Sequence, residues 1–145
     1  MNSLDTNILL YAVNADCPEH SHAAEVYQLM LDAPEEWILS DQILFEFYRA
    51  QRNPRILEHP LGHQQALQQI VFLREKSGVQ HCAYETSFWP DLFRDNANKN
   101  PKSAHIFDRV LAVTLIQNGV TCFYTRNTKD FTDVGFEKLI NPIDG

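Results

Sequence analysis

Three acidic residues sit where the surrounding pattern asks for apolar or helix-forming side chains. Asp5 ends the first strand-like run, within Ser3-Leu4-Asp5-Thr6-Asn7-Ile8-Leu9-Leu10. Glu46 lies inside Ile43-Leu44-Phe45-Glu46-Phe47-Tyr48, and Asp108 inside Ile106-Phe107-Asp108-Arg109-Val110-Leu111-Ala112. A carboxylate drawn into such surroundings is costly unless something pairs with it. One divalent cation shared by all three supplies that compensation. Hard cations such as Mg²⁺ choose oxygen ligands and keep several waters, so three carboxylates suffice to hold one ion. Each acid also has a plainer reading. Asp5 can cap the helix that follows it, Glu46 can pair with Arg49 one turn on, and Asp108 can meet a helix N-terminal dipole. The conjunction of all three favours the metal.

The elements that must position these acids can be read from punctuation and periodicity. Residues 1–5, 37–39, 79–83, 120–125 and 138–140 read as short strands. Between them, Thr6 or Asn7 caps a helix to about residue 13, and residues 22–32 form a second. Ser40 caps a helix running to residue 52, where Asn53-Pro54 stops it. Residues 64–76 form a helix closed by Gly78, residues 88–97 another, and residues 101–118 a last one with Gly119 as its C′ residue. On that last helix Phe107, Val110, Leu111, Thr114 and Leu115 fall at core spacing, and Trp37, Phe45, Phe47, Trp89 and Phe123 are expected in the core.

Strands alternating with helices predict an α/β domain with a mostly parallel sheet. Sites in such sheets form beyond the carboxyl ends of the strands. Asp5 lies where strand one ends, and Glu46 lies in the helix after strand two. Asn127 and Asp130 follow strand four, and Asp108 lies early in the helix that enters it. Four distant segments thus converge on one rim.

Composition narrows the classes. A chain of 145 residues suits one domain, expected to span 1–145. No apolar run approaches bilayer length. The start, Met1-Asn2-Ser3-Leu4-Asp5, lacks a basic segment and carries an acid early, so no signal peptide and a cytoplasmic location are expected. Cys17, Cys82 and Cys122 are isolated, which excludes a thiolate zinc motif and predicts reduced thiols. With five glycines there is neither GxGxxG nor a P-loop. His59 and His63 are four apart, but Pro60 and Gly62 make a helix there poor, and His20, His22 and His105 lack ligand spacing. The net charge of −7 argues against coating nucleic acid by bulk electrostatics. It permits a nuclease that meets phosphate through a metal and a few local cations, and capture by a basic protein.

Leu4-Asp5-Thr6-Asn7-Ile8-Leu9, Glu46 in a helix after Ser40, Phe107-Asp108, and Tyr124-Thr125-Arg126-Asn127-Thr128-Lys129-Asp130-Phe131 resemble the four motifs of PIN-domain ribonucleases. The order and spacing look most like the VapC-type toxins of bacterial toxin–antitoxin pairs. The match spans nearly the whole chain, and residues 53–100 carry little of it. The resemblance implies a three-layer α/β/α fold around a sheet of four or five strands. It implies an endoribonuclease dependent on Mg²⁺ or Mn²⁺, inhibited by a cognate antitoxin and dimeric. Its reaction is hydrolysis by a metal-activated water in line with the phosphate, leaving a 5′-phosphate and a 3′-hydroxyl.

Carried onto this chain, the resemblance makes Asp5, Glu46 and Asp108 metal-site acids and Asn127 the fourth catalytic position. Many relatives have an acid there. Asn127 offers a carbonyl oxygen without charge, so Asp130 either substitutes as a ligand or caps the following turn. Thr6, Asn7 and Thr125 are expected to orient the ligands, or else to act as caps. Arg49, Arg52, Arg109, Arg126 and Lys129 are candidate RNA contacts. Arg55 extends the basic streak of Arg49 and Arg52, whose plainer role is to complement a helix C-terminus. Two alternatives remain. A haloacid-dehalogenase-like phosphatase needs DxD after strand one, where Asn7 stands in the second position. A non-catalytic PIN-fold interaction module would tolerate Asn127.

Overall fold

Ser3 and Leu4 are neighbours in β1 (Asn2–Leu4), and both are fully buried. Strand side chains alternate, so both faces of β1 are covered, as in a sheet held between helical layers. The computed structural model describes residues 1–96 and 102–145. β2 (Ile38–Ser40) pairs in parallel with β3 (Gln80–Cys82). β1 pairs in parallel with β4 (Cys122–Tyr124), and β4 with β5 (Lys138–Ile140). The two groups meet at a parallel bridge between Asn2 and Trp37. There the Ser3 hydroxyl donates to the Ile38 carbonyl at 2.6 Å, which satisfies a polar group that would otherwise be stranded in the core. The strand order across the molecule is therefore β3-β2-β1-β4-β5, a parallel arrangement at the upper end of the four or five strands expected.

Six helices accompany the sheet among the described residues: α1 (Thr6–Ala12), α2 (His20–Asp32), α3 (Asp41–Gln51), α4 (His63–Val71), α5 (Phe88–Asn96) and α6 (Ile106–Gln117). The expected helix ends at Ala97 and Pro101 lie outside the described residues. Ser40 caps α3 as expected, its Oγ accepting from Ile43 N at 3.3 Å. α4 continues through a π-helical turn, Phe72–Lys76, so the helix read at 64–76 is present with two hydrogen-bonding patterns. Gly119, at φ +82°, ends α6: its N–H donates to the Ile116 carbonyl and that of Val120 to Leu115, both at 3.0 Å.

Three expectations change. Asp5, not Thr6 or Asn7, is the N-cap of α1, because its backbone is already extended as it leaves β1. α2 begins at His20 rather than residue 22. Phe45, Trp89 and Phe107, expected in the core, are exposed at 72%, 50% and 66%. On α3 the buried face is taken by Ile43, Leu44, Phe47 and Ala50, which leaves Phe45 on the opposite side. Phe107 lies in the first turn of α6, ahead of the buried stretch from Leu111 to Leu115. Trp37, Phe47 and Phe123 are buried as expected. Cys82 and Cys122 are buried free thiols, and Cys17 is a half-buried one. No helix among the described residues is long and apolar enough to cross a membrane.

Candidate metal centre

Asp5 is where the strand-to-helix junction becomes chemistry. Its N–H donates to the Tyr124 carbonyl at 2.8 Å, extending the β1–β4 ladder by one residue. That bond fixes the backbone, and two more fix the carboxylate. Oδ1 accepts from Thr6 N at 2.8 Å, and Oδ2 accepts from the Thr125 hydroxyl at 2.7 Å. Despite these bonds, burial first, and then the charges of Glu46 and Asp108, push its pKa up to about 6. The plain reading of Asp5 as a cap is thus correct for one oxygen. It leaves unexplained a buried carboxylate that faces two more of its own sign.

Glu46 reaches the same place from α3. Its Oε2 accepts from the Thr6 hydroxyl at 3.1 Å, and its Oε1 accepts from Gln42 Nε2 at 3.3 Å. The alternative pairing with Arg49 is not formed. Gln42 also donates to the Phe107 carbonyl at 3.0 Å, so one amide ties Glu46 to the backbone beside Asp108. Asp108 is half-buried with its pKa raised, by burial first and then by Asp130; Glu46 adds to the rise, while His105 and Arg109 oppose it. Asp5, Glu46 and Asp108 are therefore gathered at one rim, as the topology predicts.

The fourth segment also arrives, in a form the sequence only half reveals. The Thr125 hydroxyl accepts from Asn127 N at 3.0 Å while it donates to Asp5, so one side chain sets both the carboxylate and the start of the next turn. Asn127 is exposed and makes no side-chain cap. The turn Thr128–Phe131 is pinned by the fully buried Phe131, whose ring meets Phe123 edge-on at 5.0 Å. This pinning delivers Asp130 to Asp108 and to His105, whose Nε2 lies 3.9 Å from Asp130 Oδ1. His105, which has no ligand spacing in the sequence, belongs to this cluster. Its signal was its position three residues before Asp108 at the start of a helix.

Ribonuclease VapC24 of Mycobacterium tuberculosis is 34% identical to this chain over 99% of its length and 97% of that protein. The chain belongs to the VapC ribonuclease family. Ribonuclease VapC43 of the same organism is 25% identical, over 83% of this chain and 82% of its own. Among solved structures, FitAcB from Neisseria gonorrhoeae superposes with a TM-score of 0.67 at 16% identity, covering the whole of both chains. The FitAB complex bound to an IR36 DNA fragment gives 0.68 at 17% identity over 100% of this chain and 97% of that one. VapC20 of M. tuberculosis, a sarcin-ricin loop cleaving toxin, gives 0.63 at 14% identity, over 85% and 87%. These likenesses show the PIN fold. No family model matches the chain.

Against this VapC frame the remaining expected site residues divide. Thr6 and Thr125 hold ligands in place, as above. Asn7 makes no hydrogen bond to Asp5, and its Oδ1 is buried without a partner among the described residues. Arg126 turns away from the centre: its guanidinium donates to Glu19 at 2.8 Å, to Asp144 at 3.2 Å and to Tyr11 at 3.4 Å. That network ties the start of α2 to the C-terminal turn, and these acids hold the guanidinium firmly charged. Arg52 donates to Tyr48, whose hydroxyl also meets His63 Nδ1 at 2.6 Å, while His59 pairs with Asp16. The two histidines thus have separate partners. Arg49 and Lys129 are exposed, and Arg109 stands beside Asp108.

Proposed function

We propose that the chain, as a single domain spanning 1–145, is a divalent-metal-dependent endoribonuclease and the toxin of a cytoplasmic toxin–antitoxin pair. The observation that carries this is the buried Asp5 carboxylate, fixed by Thr6 and Thr125 and facing Glu46 and Asp108. Three mutually repelling carboxylates with all-oxygen donors fit a hard dication such as Mg²⁺ or Mn²⁺. Asp5, Glu46 and Asp108 would hold that ion, with Asp130 at its edge. When bound, the ion supplies an activated water and charge stabilisation at the scissile phosphate.

The residues of the chain do the remaining work. Thr125 holds an Asp5 oxygen and Thr6 a Glu46 oxygen, which limits the motion of both carboxylates at the rim. Gln42 holds the α3 and α6 edges of the site together. Asn127 presents a neutral amide at the rim, able to hydrogen-bond a phosphate oxygen or a water. Arg49 and Lys129, free of ion pairs among the described residues, supply the local cations that an acidic chain needs to meet RNA. A cognate antitoxin and a second copy of the chain complete the proposed assembly. The exposed aromatic face of Phe45, Tyr84, Trp89, Phe93 and Phe107 supports burial against a protein of like surface.

The test is RNA cleavage by the purified chain with Mg²⁺, with EDTA, and with Asp5→Asn. Cleavage that needs Mg²⁺ and is lost in the variant, with the circular dichroism spectrum unchanged, is expected. Undiminished cleavage in EDTA or by the variant rejects the proposal.

A further inference from the structure

Phe45 and Phe107 each stand one residue ahead of a rim acid, Glu46 on α3 and Asp108 on α6. Consecutive helical residues lie about 1.5 Å apart along the axis and a little over a quarter-turn apart around it. Each ring is thus anchored beside its acid and leaves the helix on a different side. Both rings are largely exposed, although phenylalanine is among the residues most often buried. Together with Gln42, Tyr84, Phe88 and Trp89 they line one open pocket of about 470 Å³, within the roughly 300–1,000 Å³ that takes small organic groups.

The aromatic side chains here fall into two groups. Those around α5 pack on one another: Tyr84 with Phe88 at 5.2 Å, Phe88 with Trp89 at 4.7 Å, and Trp89 with Phe93 at 5.6 Å between ring centroids. They make a self-contained ridge that suits a protein partner. Phe45 and Phe107 meet no aromatic ring among the described residues, so their faces are open to a flat partner. They also belong to the metal centre by construction. The Gln42 amide that donates to Glu46 donates as well to the Phe107 carbonyl, so pocket and centre share a wall. An RNA strand with a phosphate on the carboxylates therefore passes these two rings within one nucleotide. Every base has a π-face, and unpaired bases stack on aromatic side chains whatever their identity. Stacking also supplies affinity that does not depend on charge. A chain of net charge −7 gains little from bulk attraction to phosphate and has use for such a source.

We propose that Phe45 and Phe107 clamp the base of the nucleotide joined to the scissile phosphate. The clamp binds and positions the substrate and takes no part in breaking the bond. It accepts an unpaired base directly. A base inside a duplex is paired and stacked on its neighbours, and must leave the helix before it can enter. Single-stranded RNA is accordingly the substrate the pocket selects. This inference rests on the endoribonuclease reading above, and it adds two substrate-binding residues and a strand preference to it.

The test is titration of the full chain into a short mixed-sequence RNA carrying 2-aminopurine in place of adenine, whose fluorescence is quenched by stacking. It is run on the single strand and on the strand annealed to its complement, with Ca²⁺, which fills oxygen sites in flexible geometry. Quenching and tighter binding are expected for the single strand. Phe45→Leu and Phe107→Leu keep an apolar side chain and lose the flat ring. Each should weaken single-strand binding roughly fivefold or more, the lower end of what one lost stack costs, and abolish the added quenching. Phe45→Tyr and Phe107→Tyr should retain both. Mg²⁺ affinity and the circular dichroism spectrum should be the parent's in all four variants. Leucine variants that bind RNA as the parent does overturn the clamp and leave the two rings to a protein partner. Leucine variants that lose Mg²⁺ affinity overturn it too, because the rings then serve to hold the acids. A duplex bound as tightly as the single strand overturns the strand preference. Mg²⁺-dependent cleavage without quenching in the parent rejects the clamp alone, whereas absence of both RNA binding and cleavage rejects the nuclease reading with it.

Discussion

At the scale of single residues, the centre is a conflict between burial and charge, and the conflict makes predictions without any metal present. Asp5 is raised from 3.8 to about 6 in the folded chain. A group whose folded pKa is raised stabilises the fold below its unfolded pKa and loses that contribution as pH climbs through the folded value. In metal-free buffer at pH 7.5, Asp5→Asn should therefore melt at a higher temperature than the parent, by a margin on the order of 3 kcal/mol. The margin should shrink as pH falls from about 6 to 3.8. A thermal melt in EDTA across that range checks it, and a variant no more stable than the parent at pH 7.5 contradicts it. Thr125→Val should act oppositely: it strips a hydrogen bond from a buried carboxylate, at a cost of about 1–3 kcal/mol, and weakens Mg²⁺ binding roughly tenfold or more. Calorimetry on that variant reads both. The three acids were legible in the sequence because each broke a pattern. His105 broke none, and only the fold shows what it faces. Arg126 adjoins Asn127 in the chain, yet its side chain runs to Glu19 and Asp144. Arg126→Ala should accordingly lower stability while RNA affinity, measured by fluorescence anisotropy, is unchanged, because the guanidinium is already engaged by Glu19 and Asp144.

Elements carry the acids, and their punctuation was the most readable part of the chain. Ser40 as N-cap, Asn53-Pro54 as a stop and Gly119 as C′ are local chemistry, independent of what packs on top. Gly119 has open space around it, with the nearest atom to an added Cβ, from Met1, 4.0 Å away. Gly119→Ala should then cost only the left-handed backbone strain, about 1–2 kcal/mol, seen as a lower denaturation midpoint with cleavage unchanged at saturating metal. A loss of several times that size would mean that α6 is held differently. The phase of a helix was less readable than its ends. In Ile43-Leu44-Phe45-Glu46-Phe47-Tyr48 nearly every side chain is apolar or aromatic, so the run does not say which face is buried. The sheet chose Ile43, Leu44 and Phe47 and left Phe45 outside. Phe107 and Trp89 were misplaced for a related reason: apolarity marks a surface that wants covering, and the cover can be another molecule.

At the scale of the whole molecule, the parallel order β3-β2-β1-β4-β5 does what no single motif can. It brings the ends of β1 and β4 side by side, so that Thr125, after β4, reaches Asp5, after β1, across 120 residues of sequence. The alternation of strands and helices announced this sheet; the pairing order could not be read from alternation alone, because it depends on which strands bury both faces. The aromatic face formed by α3, α5 and α6 belongs to this scale as well. If it is covered by a second copy, Trp89→Ser with Phe93→Ser should shift sedimentation at micromolar concentration from dimer to monomer, and a parent that already sediments as a monomer contradicts that arrangement. The central claim is that oxygens from Asp5, Glu46 and Asp108 chelate one ion together. Isothermal titration of Mg²⁺ into the parent chain and into Asp5→Asn, Glu46→Gln and Asp108→Asn tests it most directly. Each variant should lose affinity by roughly tenfold or more while keeping its fold. Any one of the three binding Mg²⁺ as tightly as the parent contradicts a shared site.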